Sequence, residues 1–352
     1  MQASTLPLLK IDDIVARVPI IQGGMSVGIS LANLAAAVAE EGGIGVIGAA
    51  GLGLLRPGIS PDFKESNHLA LKEEIRQARE KTDGIIGVNI MMALTDHDSL
   101  INAAIDAGVD IIFVGAGALL KVPDSIDMER LKASKTKIAP VVSSAKGVRV
   151  MFNFWSRMYN TIPDAVVVEG PKAGGHLGFS LENIDDSDYS LEKILAEVIE
   201  EVKPFREKHG KDIPVIAAGG IYTGEDIYEI IKLGASGVQL GTRFVATEEC
   251  DASDKFKQAY IDSKKEDITI IKSPVGMPGR AIGNEFLDGV REGIKTPFVC
   301  PFKCLRTCDY TLSPYCIAIA LLNARNGRLD KGFAFAGSNV YRVDRIVSVK
   351  EL

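Results

Sequence analysis

The chain has 352 residues, 46% of them hydrophobic and 24% charged, with a formal net charge of -6. That is enough for one large barrel or two ordinary domains, and with no basic stripe and a single Trp it argues against nucleic acid as a partner. Residues 1–17 lack the layout of a signal peptide and no apolar run reaches the length of a membrane span, so a soluble, cytoplasmic protein is expected.

Short β-branched runs recur along the chain, separated by stretches of helical periodicity. The first, 18–21, runs into Gln22-Gly23-Gly24-Met25, and an Ala-rich helix follows at 31–41. The second, 44–47, ends in Gly48-Ala49-Ala50-Gly51 before an amphipathic helix at 67–81. The third, 85–90, contains Asn89 and is followed by a helix at 100–107. The fourth, 111–114, ends in Gly115-Ala116-Gly117, and the fifth, 138–142, in Ser143-Ser144. The sixth, 165–168, precedes Glu169-Gly170 and a helix at 191–209. The seventh, 215–218, ends in Gly219-Gly220 before a helix at 224–233, and the eighth, 238–240, ends in Gly241-Thr242. Apolar residues three and four apart mark these helices, and Gly42, Gly108, Gly210 and Gly234 stop four of them.

Continuous apolar strands alternating with helices imply a parallel sheet covered on both faces, in the α/β class. Eight such units imply closure into a TIM (β/α)8 barrel. An open doubly wound sheet is the competing arrangement, but no single Gly-rich dinucleotide turn stands out, whereas every strand end is decorated. Beyond Thr242 the pattern changes to a charged helix at 251–265, a turn-rich run at 269–282, four cysteines and an apolar helix at 316–326. The expected division is a barrel over 1–248, a cap over its mouth at 249–335, and a tail at 336–352 that returns to the barrel.

In a barrel the reacting groups sit at the C-terminal ends of the strands, where eight loops converge. Gly219-Gly220 and Gly241-Thr242 occupy the usual phosphate position, with backbone N–H groups, a hydroxyl and a helix start to favour an anion. Without the fold, the same glycines read simply as tight turns. His176 lies in Ala173-Gly174-Gly175-His176-Leu177-Gly178, a loop too rich in glycine to pack as core, and can donate a hydrogen bond or take a proton near neutral pH. A surface-loop histidine is the plainer alternative. His68 and His209 read as solvated helix residues, and His97 as part of a helix-capping loop. Asn89 offers an amide suited to a flavin or nucleobase edge, or to its own turn. Glu169 could accept from a ring N–H or a hydroxyl, or pair with a nearby Lys or Arg, while Lys172 reads as a solvated charge. Cys300, Cys304, Cys308 and Cys316 are spaced C-x3-C-x3-C-x7-C, unlike the common zinc or ferredoxin runs, so reduced thiols are expected there and no metal.

Five ordered stretches carry a resemblance: 19–25 (PIIQGGM), 87–91 (GVNIM), 169–176 (EGPKAGGH), 214–221 (PVIAAGGI) and 239–244 (QLGTRF), extended by 280–284 and 335–338. Together they resemble the nitronate monooxygenases, also called 2-nitropropane dioxygenases, and equally the related FMN-dependent enoyl-acyl-carrier-protein reductases. The resemblance implies a barrel holding one non-covalent FMN. It implies that Gly23, Gly24, Met25 and Asn89 meet the flavin, that Glu169 and Gly174 flank the ring and ribityl chain, and that Gly219, Gly220, Gln239, Leu240, Gly241 and Thr242 cradle the phosphate. It makes His176 the catalytic side chain, acting on an alkyl nitronate; the alternative is an NAD(P)H- and FMN-dependent enoyl-acyl-carrier-protein reductase. The chain departs from the nitronate pattern at Glu169 and Lys172, where that pattern has Gln and then Glu; a Glu in the first place occurs in the reductase branch. The implied partners are a small-molecule substrate and a second copy of the chain in a homodimer, with neither nucleic acid nor membrane.

Overall fold

The computed structural model describes residues 6–120, 128–295, 298–300 and 302–352. Eight parallel strands close into a barrel: β1 (Ile20–Gln22), β2 (Ile44–Gly48), β3 (Ile85–Met91), β4 (Ile111–Gly115), β5 (Lys137–Val142), β6 (Val166–Glu169), β7 (Val215–Ala218) and β8 (Gly237–Leu240). Each pairs with its neighbours in sequence, and β8 closes on β1 through Val238 opposite Ile20. The α/β class and the (β/α)8 barrel expected from the sequence are thus what the chain forms.

Alternation along the strands explains the continuous apolar runs. In β4, Ile111 and Phe113 point into the barrel with Ile21, Ile44, Val46, Val167 and Ile216, while Ile112 and Val114 pack outward against the helices. Both faces are buried, so neither can be polar. A short hairpin, Leu9–Ile11 with Ile14–Ala16, plugs the N-terminal end and adds Leu9, Ile11 and Ala16 to the inner core. Lys137, at the start of β5, holds the hairpin turn through Asp12 at 2.5 Å and Asp13 at 2.7 Å.

The surrounding helices include α1 (Ala32–Glu40), α2 (Phe63–Lys81), α3 (His97–Asp106), α4 (Met128–Ala133), α5 (Ala145–Tyr159), α6 (Leu191–His209) and α7 (Gly224–Lys232). Helix α1 has no side-chain cap of its own. Its first amides instead donate to carboxylates distant in sequence: Leu31 N to Asp251 at 2.8 Å and Ala32 N to Glu74 at 3.1 Å. Among the described residues no helix is long and apolar enough to cross a membrane.

After β8 come a single turn, α8 (Thr242–Val245), and then α9 (Asp254–Asp262). The turn-rich run forms a hairpin, β9 (Ile268–Lys272) with β10 (Pro278–Ile282), followed by α10 (Glu285–Arg291) and α11 (Ile317–Arg325). These elements share a small core of their own, built on Ile271, Val275, Leu287, Tyr315, Ile317 and Phe333. Strand β10 also pairs with Gly175–His176 of the loop after β6, so hairpin and barrel loop form one three-stranded sheet across the mouth.

Candidate active site

The C-terminal ends of the strands open on a cavity of about 300 Å3. Every site residue expected from the sequence lines it: Gly23, Gly24, Met25, Asn89, Glu169, Gly174, His176, Gly219, Gly220, Gln239, Leu240, Gly241 and Thr242. Lys172 also reaches its rim, although it is exposed as expected. The remaining histidines lie elsewhere. His97 begins α3, with Nδ1 2.8 Å from Leu94 O, His68 meets Ser99 Oγ at 3.1 Å, and His209 meets Ser156 Oγ at 2.9 Å.

His176 is held from three sides. Its backbone pairs with Gly279 of β10, its Nε2 lies 2.7 Å from Ser273 Oγ, and its ring meets Phe335 at 4.9 Å between centroids. Burial holds the imidazole down to about 4, so it is neutral at pH 7. Ser273 Oγ accepts from Val275 N–H at 3.2 Å and keeps both its proton and a second lone pair to meet His176 Nε2.

Glu169 ends β6 in the cavity. Burial pushes its carboxyl up to about 7, and no hydrogen bond or ion pair from the described residues offsets that cost. The expected alternative, a salt bridge to a neighbouring Lys or Arg, does not form. Asn89 Nδ2 makes only a long 3.5 Å contact to Phe113 O, so most of its amide is free for a ligand. Both carry polar capacity that the protein leaves unused.

The strand ends seven and eight form a cradle. Gly219 and Gly220 have φ of +96° and +86°, a region costly for side chains, and a Cβ on Gly220 would lie 2.8 Å from Lys172 Cβ. Residues 336–339 cross this cradle and tie it together. Gly337 N donates to Thr242 Oγ1 at 2.9 Å, Ser338 N to Lys172 O at 3.1 Å, and Asn339 Nδ2 to Gly220 O at 2.6 Å. Helix α8 is a single turn, so an anion bound here would meet loop amides and a cation rather than a long helix dipole. The cation is Arg243. Its guanidinium lies over one face of Tyr222 and donates to the Tyr222 hydroxyl at 2.9 Å, while Arg342 lies near the same ring, 4.3 Å from its centroid. Arg243 Nε is buried with no hydrogen-bond partner, and no carboxylate among the described residues pairs with this side chain.

Arg280 fixes the histidine loop from below. It is buried, and its Nη1 donates to Pro171 O and, at 2.8 Å, to Ala173 O. Sequence reasoning assigned no role to Ser273, Tyr222, Arg243 or Arg280, although Arg243 and Arg280 fall within the stretches 239–244 and 280–284 that carry the resemblance. The run 273–280, dense in Pro and Gly between helices, was the available hint for two of them.

The sequence profile described as nitronate monooxygenase matches residues 8–352. The chain belongs to the nitronate monooxygenase family. A probable nitronate monooxygenase of Staphylococcus aureus is 28% identical over 309 residues, which covers 77% of this chain and 76% of that protein. A hydroxy-methyl-oxo-octahydroindene-carboxyl-CoA dehydrogenase of Rhodococcus jostii is 26% identical over 77% of this chain, and the chain spans only 64% of that relative's length. The structure of FabK from Thermotoga maritima superimposes with a TM-score of 0.72 at 28% identity, covering 96% of this chain and 90% of that one. The chain is therefore an enzyme of an oxidoreductase family.

Proposed function

We propose that this enzyme is an FMN-dependent oxidoreductase that oxidises alkyl nitronates, with His176 at the reacting end of the cavity. The placement of His176 in the cavity, hydrogen-bonded to Ser273 at 2.7 Å and paired with Gly279, is the observation that carries the reading. FMN fits the groups that the cavity leaves unpaired. The glycine ends of β7 and β8, with Thr242 and Arg243, would hold the phosphate; Asn89 and Glu169 would meet polar edges of the ring and ribityl chain; Gly23, Gly24 and Met25 would lie along the flavin. Bound there, FMN supplies the electron acceptor.

The side chains of the chain select the substrate by its charge. An imidazole held near 4 is a poor base at pH 7 and carries no second proton to give, so it acts as a hydrogen-bond donor. A nitronate arrives already anionic and needs a donor at its nitro oxygens. A neutral nitroalkane needs its α-proton removed, and an enoyl thioester needs a proton delivered to carbon. Ser273 engages Nε2, and the ring protonated at Nδ1 would supply that donor. Phe335 and the β9–β10 hairpin keep bulk water away from the ring, which strengthens the bond it makes.

The second reading is an NAD(P)H- and FMN-dependent enoyl-acyl-carrier-protein reductase, favoured by Glu169 at the first loop position. An anaerobic visible spectrum, before and after propyl nitronate, separates the two. A yellow band that bleaches is expected. A yellow band that ignores the nitronate moves the assignment to the thioester reductase, and a colourless protein unable to take up FMN sinks both.

A further inference from the structure

The loop that carries Gly23, Gly24 and Met25 into the cavity turns back through two left-handed residues, Val27 at φ +54° and Gly28 at φ +78°. Glycine adopts that region freely. A β-branched residue does not, and such a conformation persists only where its surroundings over-determine it. The barrel supplies part of the restraint. Met25 N–H donates to Ser30 Oγ at 2.8 Å, Ser30 N–H to Met25 O at 3.0 Å, and Val27 N–H to Ala50 O at 2.9 Å. These bonds close the loop on itself and on the end of β2, and none of them reaches Gly28.

The cap supplies the rest. Helix α11 carries Leu321 and Arg325 four residues apart, on one face. Leu321 lines the cavity, and Arg325 lies outside that lining. Arg325 donates from Nε to Gly28 O at 3.2 Å and from Nη2 to Asp251 O at 2.9 Å. Asp251 belongs to the same tie: its N–H donates to Ile29 O at 3.2 Å, and its Oδ2 accepts from Leu31 N–H at 2.8 Å and Leu34 N–H at 3.3 Å. The backbone of Arg325 is anchored in turn, its carbonyl accepting from Ser253 N–H at 3.0 Å. A Cβ on Gly28 would lie 3.1 Å from Arg325 Nε, so the bare glycine lets the guanidinium approach. One planar, charged fork thus bridges two carbonyls, which a lysine, as a point donor, cannot reproduce.

We propose that Arg325 is a positioning residue for the cofactor. It holds the loop after β1 in its left-handed turn and so keeps Gly24 and Met25 where the flavin ring lies. This rests on the reading that the cavity takes FMN. Arg325 acts through Gly28, at the ring end of the seat, while the glycine ends of β7 and β8 hold the phosphate without it. Losing the clamp should therefore loosen the ring and spare the phosphate.

The test titrates the cofactor-free full chain with FMN and with riboflavin, followed by flavin fluorescence. Arg325→Met should weaken both ligands by the same factor, about 10- to 100-fold for lost bonds from a charged donor. Arg325→Lys should fall between Met and wild type. Arg243→Met is the contrast: it should weaken FMN and leave riboflavin as it was. Amide hydrogen exchange over residues 24–31 of the cofactor-free chain should quicken in both Arg325 variants. Should the Met variant fail to fold, the Lys variant carries the same comparison. Unchanged flavin affinities beside a lower melting temperature would make Arg325 a structural tie and overturn the proposal, as would a loss confined to FMN. A wild-type chain that binds neither flavin sinks the FMN reading itself, and the proposal with it; wild-type binding with unaffected variants sinks the proposal alone.

Discussion

Glu169→Gln should stabilise the cofactor-free protein, and by an amount that grows with pH. Glu169 sits in the cavity without a partner, and burial raises its carboxyl from 4.5 to about 7. A carboxyl raised in the folded state holds its proton there while the unfolded chain releases it. Its favourable contribution is therefore complete below about pH 4.5 and is lost as pH rises through 7. Converted at full strength, the gain for Gln between pH 5 and pH 8.5 is about 2.5 kcal/mol. Water in the cavity still reaches the carboxylate, so about 1–2 kcal/mol is the working expectation. Urea titrations of wild-type and Gln proteins at the two pH values measure the double difference. A gain from Gln that is the same at both values would refute the reasoning, because an unpaired, desolvated carboxylate cannot be indifferent to pH. Added FMN should shrink the difference if a polar group of the cofactor meets Glu169.

Three other outcomes are expected. His176→Asn should lower nitronate turnover by roughly 10²- to 10³-fold while flavin content is unchanged, as measured by steady-state kinetics and the flavin spectrum; wild-type rates would remove His176 from the chemistry. Gly174→Ala would place a Cβ 2.5 Å from the Ala336 carbonyl carbon and 2.6 Å from Gly337 N, both backbone atoms. It should cost about 1–3 kcal/mol and weaken FMN retention, seen in thermal melts and in flavin content after dialysis. Arg280→Met should orphan Pro171 O and Ala173 O beneath the histidine loop, at about 2–3 kcal/mol by denaturant titration; an unchanged midpoint would show that the loop holds itself.

The barrel was legible because its code is local. Both faces of each strand are buried, so each strand is an apolar run, and the observed bounds differ from the expected ones by no more than two residues. The largest shift is at the start of β1, which begins at Ile20 rather than at residue 18 and ends one residue later than expected, at Gln22; this polar side chain is fully buried because it bonds Gly23 O and Val46 N. Helix α2 begins earlier than its apolar periodicity suggested because Asp62 caps it, accepting from Glu65 N at 2.8 Å. Helix α5 is hard to read from the sequence although Val148, Met151, Phe152 and Trp155 lie at helical spacing, because Gly147 and the basic residues around them mask the stripe. The bottom hairpin leaves little mark in the sequence because its strands have three residues each.

The site divides the same way. The strand-end rule found the half supplied by the barrel, since position in a (β/α)8 unit fixes what a residue faces. The other half comes from the cap, where contacts are non-local: Ser273 lies 97 residues from His176, and Asn339 lies 119 from Gly220. Arg243 directly follows the expected phosphate residues, but the contact that holds it, with Tyr222 21 residues earlier, is not local in sequence.

The pairing of Gly175–His176 with β10 separates two tasks along the chain. The barrel ends furnish the glycines, Asn89 and Glu169 that suit a cofactor, whereas the orientation of His176 is set by a hairpin encoded nearly a hundred residues later. A chain built like this can exchange its later segment, altering which molecule meets the histidine and in what tautomer, while the cofactor seat stays as it was. Variation in what such enzymes react with should therefore concentrate in the hairpin and the segment after it, and grafting that hairpin between relatives is a more direct route to a new specificity than mutating the barrel rim.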